Sequence, residues 1–161
     1  LFARTSKALS RLNEMFKSHE KIKKTYWAIV QSPPPTPQGC LENYLWRNEK
    51  QNKSFVVKPD SKDAKHAVLS YKTIAQSERY TLLEINLETG RHHQIRCQLS
   101  AIGSPIKGDL KYGAKRSNPD GGISLHARKI EFIHPVSKVS ISIIAPVPDD
   151  TLWRELELNC K

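Results

Sequence analysis

Residues 81–105 read Thr81-Leu82-Leu83-Glu84-Ile85-Asn86-Leu87-Glu88-Thr89-Gly90-Arg91-His92-His93-Gln94-Ile95-Arg96-Cys97-Gln98-Leu99-Ser100-Ala101-Ile102-Gly103-Ser104-Pro105, and two periodicities meet inside them. Up to Leu87 the spacing is two, so that Leu83, Ile85 and Leu87 share one face of a strand. Past Gly90 the spacing becomes helical, with Ile95, Leu99 and Ile102 on one stripe. Gly103 supplies a C′ stop, and Pro105 forbids continuation. A strand therefore hands over to a helix whose first turn is crowded with cationic and hydrogen-bonding side chains. Free N–H groups and the positive end of the dipole make such a turn a good anion site. Arg96, beside Ile95 and one turn before Leu99, is expected to be partly buried, and a buried guanidinium needs a carboxylate.

Working outward, strands are expected at 66–75 and 79–88, joined through Ser77-Glu78 as a hairpin. From Ile22 to Val30 the chain alternates, with Tyr26, Ala28 and Val30 on one side and Trp27 and Ile29 on the other. Ser32-Pro33-Pro34-Pro35-Thr36-Pro37 can only be a stiff surface loop, and shorter strands follow at 40–46 and 54–58. Gly and Pro residues keep 104–122 as loop, and a second hairpin pairs 124–133 with 138–146 around His134-Pro135. A first helix at 6–18 is capped by Thr5 or Ser6, and a last one through Leu152, Trp153 and Leu156 by Asp149 or Asp150. Leu1-Phe2-Ala3 reads as the tail of a strand, and the chain as a piece of a longer protein. Strands joined by short turns predict an α+β fold: a mostly antiparallel mixed sheet flanked by a few helices, in one incomplete domain over 1–161.

The chain carries 26 Lys and Arg against 16 Asp and Glu, a formal charge of +10 over 161 residues. Residues 1–24 alone hold seven cations and two carboxylates. Such a field favours polyanions, of which nucleic acid is the commonest. Apolar runs such as Ile143-Ile144-Ala145 are far short of the ~20 residues that cross a bilayer, so no membrane partner is expected. Cys40, Cys97 and Cys160 are odd in number and far apart, which fits a reducing cytoplasm; no secretory signal is readable. Neighbours such as His92 and His93 cannot both aim at one ion from a helix, and no Cys or carboxylate stands at ligand spacing, so no metal is expected.

Gly90-Arg91-His92-His93-Gln94-Ile95-Arg96, followed by Gly103-Ser104-Pro105-Ile106 and Gly108-Asp109-Leu110-Lys111-Tyr112-Gly113, resembles the G-R-x-H-Q-[IL]-R…G-x-P-[IL]-x-G-D-x-x-Y-G signature of the RluA-type RNA pseudouridine synthases. Lys24-Thr25-Tyr26-Trp27-Ala28-Ile29-Val30 is similar to the family's K-x-Y-x-A-x-V strand. Ser124-Leu125-His126-Ala127 with Ile133-His134-Pro135 resembles its L-H-A…H-P hairpin, and Ala145-Pro146 its terminal A-P. The resemblance implies a pseudouridine synthase catalytic fold and a cofactor-independent isomerase acting on uridines of structured RNA, ribosomal or transfer. A monomer when complete is expected.

By the same resemblance Tyr26 and Arg96 are the catalytic candidates. Tyr26 and Leu125 would touch the uracil, since a flipped base is gripped between apolar or aromatic faces. Arg96 would orient the nucleophilic aspartate, which the family carries in an H-R-L-D loop. No Asp of this sequence lies in such a loop; Asp109 belongs to the G-D-x-x-Y-G motif, so Arg96 is expected to lack its partner. Lys21, Lys23, Lys24, Arg91 and His93 are candidates for the RNA backbone. The chain by itself is then expected to be inactive. The competing reading is a non-catalytic RNA-binding module that uses the same basic surface.

Overall fold

In the computed structural model, residues 2–17 and 22–160 are described. In chain order they form α1 (Ser6–Lys17), β1 (Ile22–Val30), β2 (Gln38–Asn48), β3 (Lys53–Val57), β4 (Lys65–Gln76), β5 (Thr81–Leu87), α2 (Gln94–Ala101), a 3₁₀ turn (Leu110–Tyr112), β6 (Leu125–Ile133), β7 (Ser140–Ile144) and α3 (Thr151–Leu158). Among these residues the strands make one seven-stranded sheet in the order β3-β2-β4-β5-β1-β6-β7. Every neighbouring pair is antiparallel: short turns join β2–β3, β4–β5 and β6–β7, while longer connections bring β2 beside β4 and insert β1 between β5 and β6.

The alternation of β1 divides the core. On one face Tyr26, Ala28 and Val30 join Leu69, Leu83, Ile85 and the α2 residues Ile95 and Leu99. On the other, Trp27, Ile29 and Leu82 meet Trp153 and Leu156 of α3. α1 closes the start of β1, where Met15 packs on Ile22 and Phe132. The expected tail strand at the N-terminus does not form: Phe2 and Ala3 have no regular structure and Phe2 is fully exposed. An apolar tripeptide with no strand beside it has nothing to pair with. Leu1 lies outside the described residues.

Two local devices fix the parts that matter below. α2 ends in a Schellman motif, with Ser104 N donating to Leu99 O and Gly103 N to Ser100 O while Gly103 sits at φ 80°. A bulge interrupts the β1–β6 ladder: Thr25 faces Lys129 and Tyr26 faces Ala127, which leaves Arg128 unpaired between them. Arg128 stacks its guanidinium 4.3 Å from the Trp27 ring centroid and donates to Glu157 at 2.6 Å.

Candidate active site

The handover from β5 to α2 is built by Gln94, a buried residue whose role the sequence did not announce. Its Nε2 donates to Val68 O in β4, and its Oε1 accepts from Thr89 Oγ1 and Arg91 N. One side chain thereby ties the helix start to the sheet. Gln98, a turn later and fully buried, donates to Leu41 O and to Asn43 Oδ1 of β2. With both amides held, the position of Arg96 between them is set by the sheet.

Arg96 does have a carboxylate, contrary to the expectation that its partner is missing. Asp109 accepts from Arg96 Nε and Nη2, both at 2.7 Å, and is 1% exposed against 17% for the arginine side chain. A fork-to-fork pair of this kind is the strongest polar contact available to a guanidinium. Asp109 reaches it because Gly108 turns the chain at φ 88°, where a Cβ would lie 2.6 Å from Gly122 O. Asp109 is thereby the buried counter-ion of Arg96, 1% exposed and closed off from solvent.

The rest of the guanidinium is also held. Arg96 Nη1 donates to His93 Nε2 at 2.9 Å, and the group stacks 4.8 Å from the Tyr112 ring centroid. Arginine only donates, so Nε2 must accept and the His93 proton sits on Nδ1, which donates to Tyr112 Oη at 3.1 Å. Tyr112 Oη also accepts from Ser54 N at 2.7 Å. Both His93 nitrogens are therefore bonded inside the protein, so a contact of His93 with an RNA phosphate requires one of these bonds to be exchanged. His93 further occupies the left-handed region at φ 50°, a cost that the network must offset.

Burial, then the charges of Arg96 and His92, push the His93 imidazole down to about 4. The unfolded chain binds that proton first, near its ordinary value of about 6.5. Stability is thus full above pH 6.5 and is lost as the pH falls from there toward 4. Urea unfolding across that window is expected to show stability falling with pH, a fall that is absent in His93→Gln.

Tyr26 is half-buried in the same cluster as Ile95, Leu99 and Leu125, so Tyr26, Leu125 and α2 share one face of the sheet. No hydrogen bond or ring contact joins Tyr26 to Arg96 among the described residues. Burial pushes the Tyr26 phenol above its ordinary range, which keeps it protonated at neutral pH. The basic candidates fall into two clefts. Lys23 and Lys24 line one of about 910 Å³, where Glu84, Glu88 and Glu131 also sit. Arg91 lines another of about 800 Å³, anchored through Nε to His66 O with its terminal nitrogens left over. Lys21 lies outside the described residues.

Sequence reasoning missed Ser54, Gln94 and the pairing of Asp109. Tyr112 and Asp109 stood in a quoted motif, a signal that was available, whereas Ser54 carries none.

Comparison with known proteins gives a consistent picture. The profile described as RNA pseudouridylate synthase matches residues 1–101. An uncharacterized RNA pseudouridine synthase, YlyB of Bacillus subtilis, is 33% identical over 132 residues, covering 82% of this chain and 43% of its own. The ribosomal large subunit pseudouridine synthase D of Xylella fastidiosa is 33% identical over 161 residues, covering 92% and 47%. The chain spans about half the length of the curated relatives it matches. Among solved structures, human RNA pseudouridylate synthase domain containing 1 superposes with a TM-score of 0.75 at 19% identity, covering 98% of this chain and 66% of that one. Human RNA pseudouridylate synthase domain containing 4 does so at 0.75 and 21%, covering 98% and 69%.

Proposed function

This chain belongs to the RNA pseudouridylate synthase family, and we propose that it forms part of an enzyme that isomerises uridine to pseudouridine in structured RNA, of the RluA type. Ribosomal or transfer RNA is the substrate class; the name of the Xylella relative favours the ribosomal large subunit. A cytoplasmic monomer is the form we propose for the whole protein.

The reaction breaks the N1–C1′ bond, turns the uracil and joins C5 to C1′; the C5 proton leaves and N1 gains one, so no atoms are lost overall. A carboxylate that attacks C1′ or removes a sugar proton is required. We place it outside residues 1–161, because Asp109 is tied up and no other Asp stands in the family's loop. Arg96 faces that carboxylate with the N–H groups that Asp109 and His93 leave over, and keeps it ionised. Tyr26 and Leu125 supply the face against which the detached uracil turns. The raised Tyr26 phenol suits a hydrogen-bond donor better than a base. Lys23, Lys24 and Arg91 hold the RNA backbone.

The observation that carries this reading is the family match over 1–101 together with a guanidinium locked at the start of α2. Incubating the full-length protein with ribosomal and transfer RNA, then mapping carbodiimide-dependent reverse-transcriptase stops, is expected to reveal new stops at specific uridines. RNA binding without any new stop would leave a binding module instead.

A further inference from the structure

A hairpin at the edge of a sheet ordinarily stands free, yet the β2–β3 hairpin is bolted to α2 and the loop after it. Ser54 is 2% exposed; its Oγ donates to His92 O at 2.6 Å, and its own carbonyl accepts from Cys97 Sγ at 3.3 Å. Asn52 Oδ1 meets His92 Nε2 at 3.0 Å, and Lys111 Nζ donates to Gln51 O and Asn52 O, both at 3.3 Å.

The cleft between this hairpin and the Gly90-Arg91-His92 turn has a volume of about 800 Å³. Arg47, Lys50, Lys65 and Arg91 line it, against Glu49 and Asp63. None of these four cations is in an ion pair among the described residues. Of the four, Arg47 acts on the cleft residue His92: after burial its charge pushes the imidazole down, with Arg96 and Lys111 adding to it from outside the cleft. The larger cleft beside Lys23 differs, since there Lys129 is paired with Glu131 at 2.9 Å and Arg128 with Glu157 at 2.6 Å.

We propose that the cleft between the β2–β3 hairpin and residues 90–92 is a track for the ribose-phosphate backbone of the RNA strand that flanks the target uridine. The inference rests on RNA being the substrate, as proposed above. Cations outside ion pairs release counterions when phosphates replace water around them. The anchored hairpin carries Arg47 and Lys50, and the turn tied to it carries Arg91, so the track is set in the same frame as Arg96.

The test is equilibrium binding of a uridine-containing RNA to the full-length protein over a salt series, without turnover. Arg47→Gln with Lys50→Gln is compared with Lys58→Gln and Lys62→Gln, which remove equal charge from exposed positions outside the cleft. The cleft pair is expected to bind roughly tenfold more weakly and to flatten the log–log salt slope by about 1.4, at about 0.7 per phosphate of a single strand. The control pair is expected to change affinity less than about twofold. Equal losses in both pairs, no loss in either, or no RNA binding by the unsubstituted protein would overturn the track. Pseudouridine formation is read separately, so failure of the isomerase reading with an intact cleft effect remains visible as such.

Discussion

Asp109→Ala is expected to lower the unfolding free energy by about 3–5 kcal/mol, the largest stability loss of any single change at the site. The carboxylate is 1% exposed and forms both bonds of the fork at 2.7 Å. Removing it leaves Arg96, itself only 17% exposed, as a largely buried charge without its counter-ion. The loss therefore measures a stranded cation more than a broken bond. Adding Arg96→Met to Asp109→Ala removes that cation and is expected to recover much of the loss, as paired replacement of buried ions commonly does. Urea unfolding of the two variants checks both numbers; equal stability of single and double variants would show that Arg96 is adequately solvated without Asp109.

On conversion of uridine, Arg96→Lys is expected to cost about a hundredfold or more. Arg96→Ala is the poorer probe, because it strands Asp109. A lysine keeps the charge but has a single ammonium where the network uses Nε, Nη1 and Nη2 at once, toward Asp109 and His93. A group displaced by an ångström no longer orients the reacting carboxylate. Tyr26→Phe keeps the apolar face and removes only the hydroxyl, and is expected to reduce conversion as well. In both variants salt-dependent RNA binding should stay close to that of the unsubstituted protein, since neither residue belongs to the cationic track. Conversion undiminished in both would remove Arg96 and Tyr26 from the proposed site.

What was legible in the sequence was local. The alternation from Ile22 to Val30 gave the two faces of β1, and the change of period gave the existence of α2; its start lies at Gln94 and not just after Gly90, because His93 in the left-handed region keeps residues 91–93 out of the helix. Asp150 as the cap of α3 was one of two named candidates, and its Oδ1 accepts from Leu152 N and Trp153 N. What was not legible joins distant residues. Ser54 and Tyr112 lie 58 positions apart, and nothing in the sequence of β3 marks Ser54 as a buried linchpin. Arg96 was read as needing a carboxylate, correctly, but the supplier lay 13 residues on, across a loop whose Gly108 turn is a matter of tertiary packing. His93 was read by its charge type, whereas its neighbours hold it neutral and fully bonded. Side-chain chemistry can be inferred from a motif; which bonds are already taken requires the fold.

The most direct measurement follows the hydrogen at C5. Joining C5 to C1′ must expel it, so RNA carrying tritium at uridine C5 reports the isomerisation when the release is matched to the pseudouridine formed. Incubated with the full-length protein, such ribosomal or transfer RNA is expected to release tritium into water in step with pseudouridine formed, and much more slowly with Arg96→Lys. RNA that is bound yet keeps all of its tritium would contradict an isomerase and leave only a surface that holds RNA.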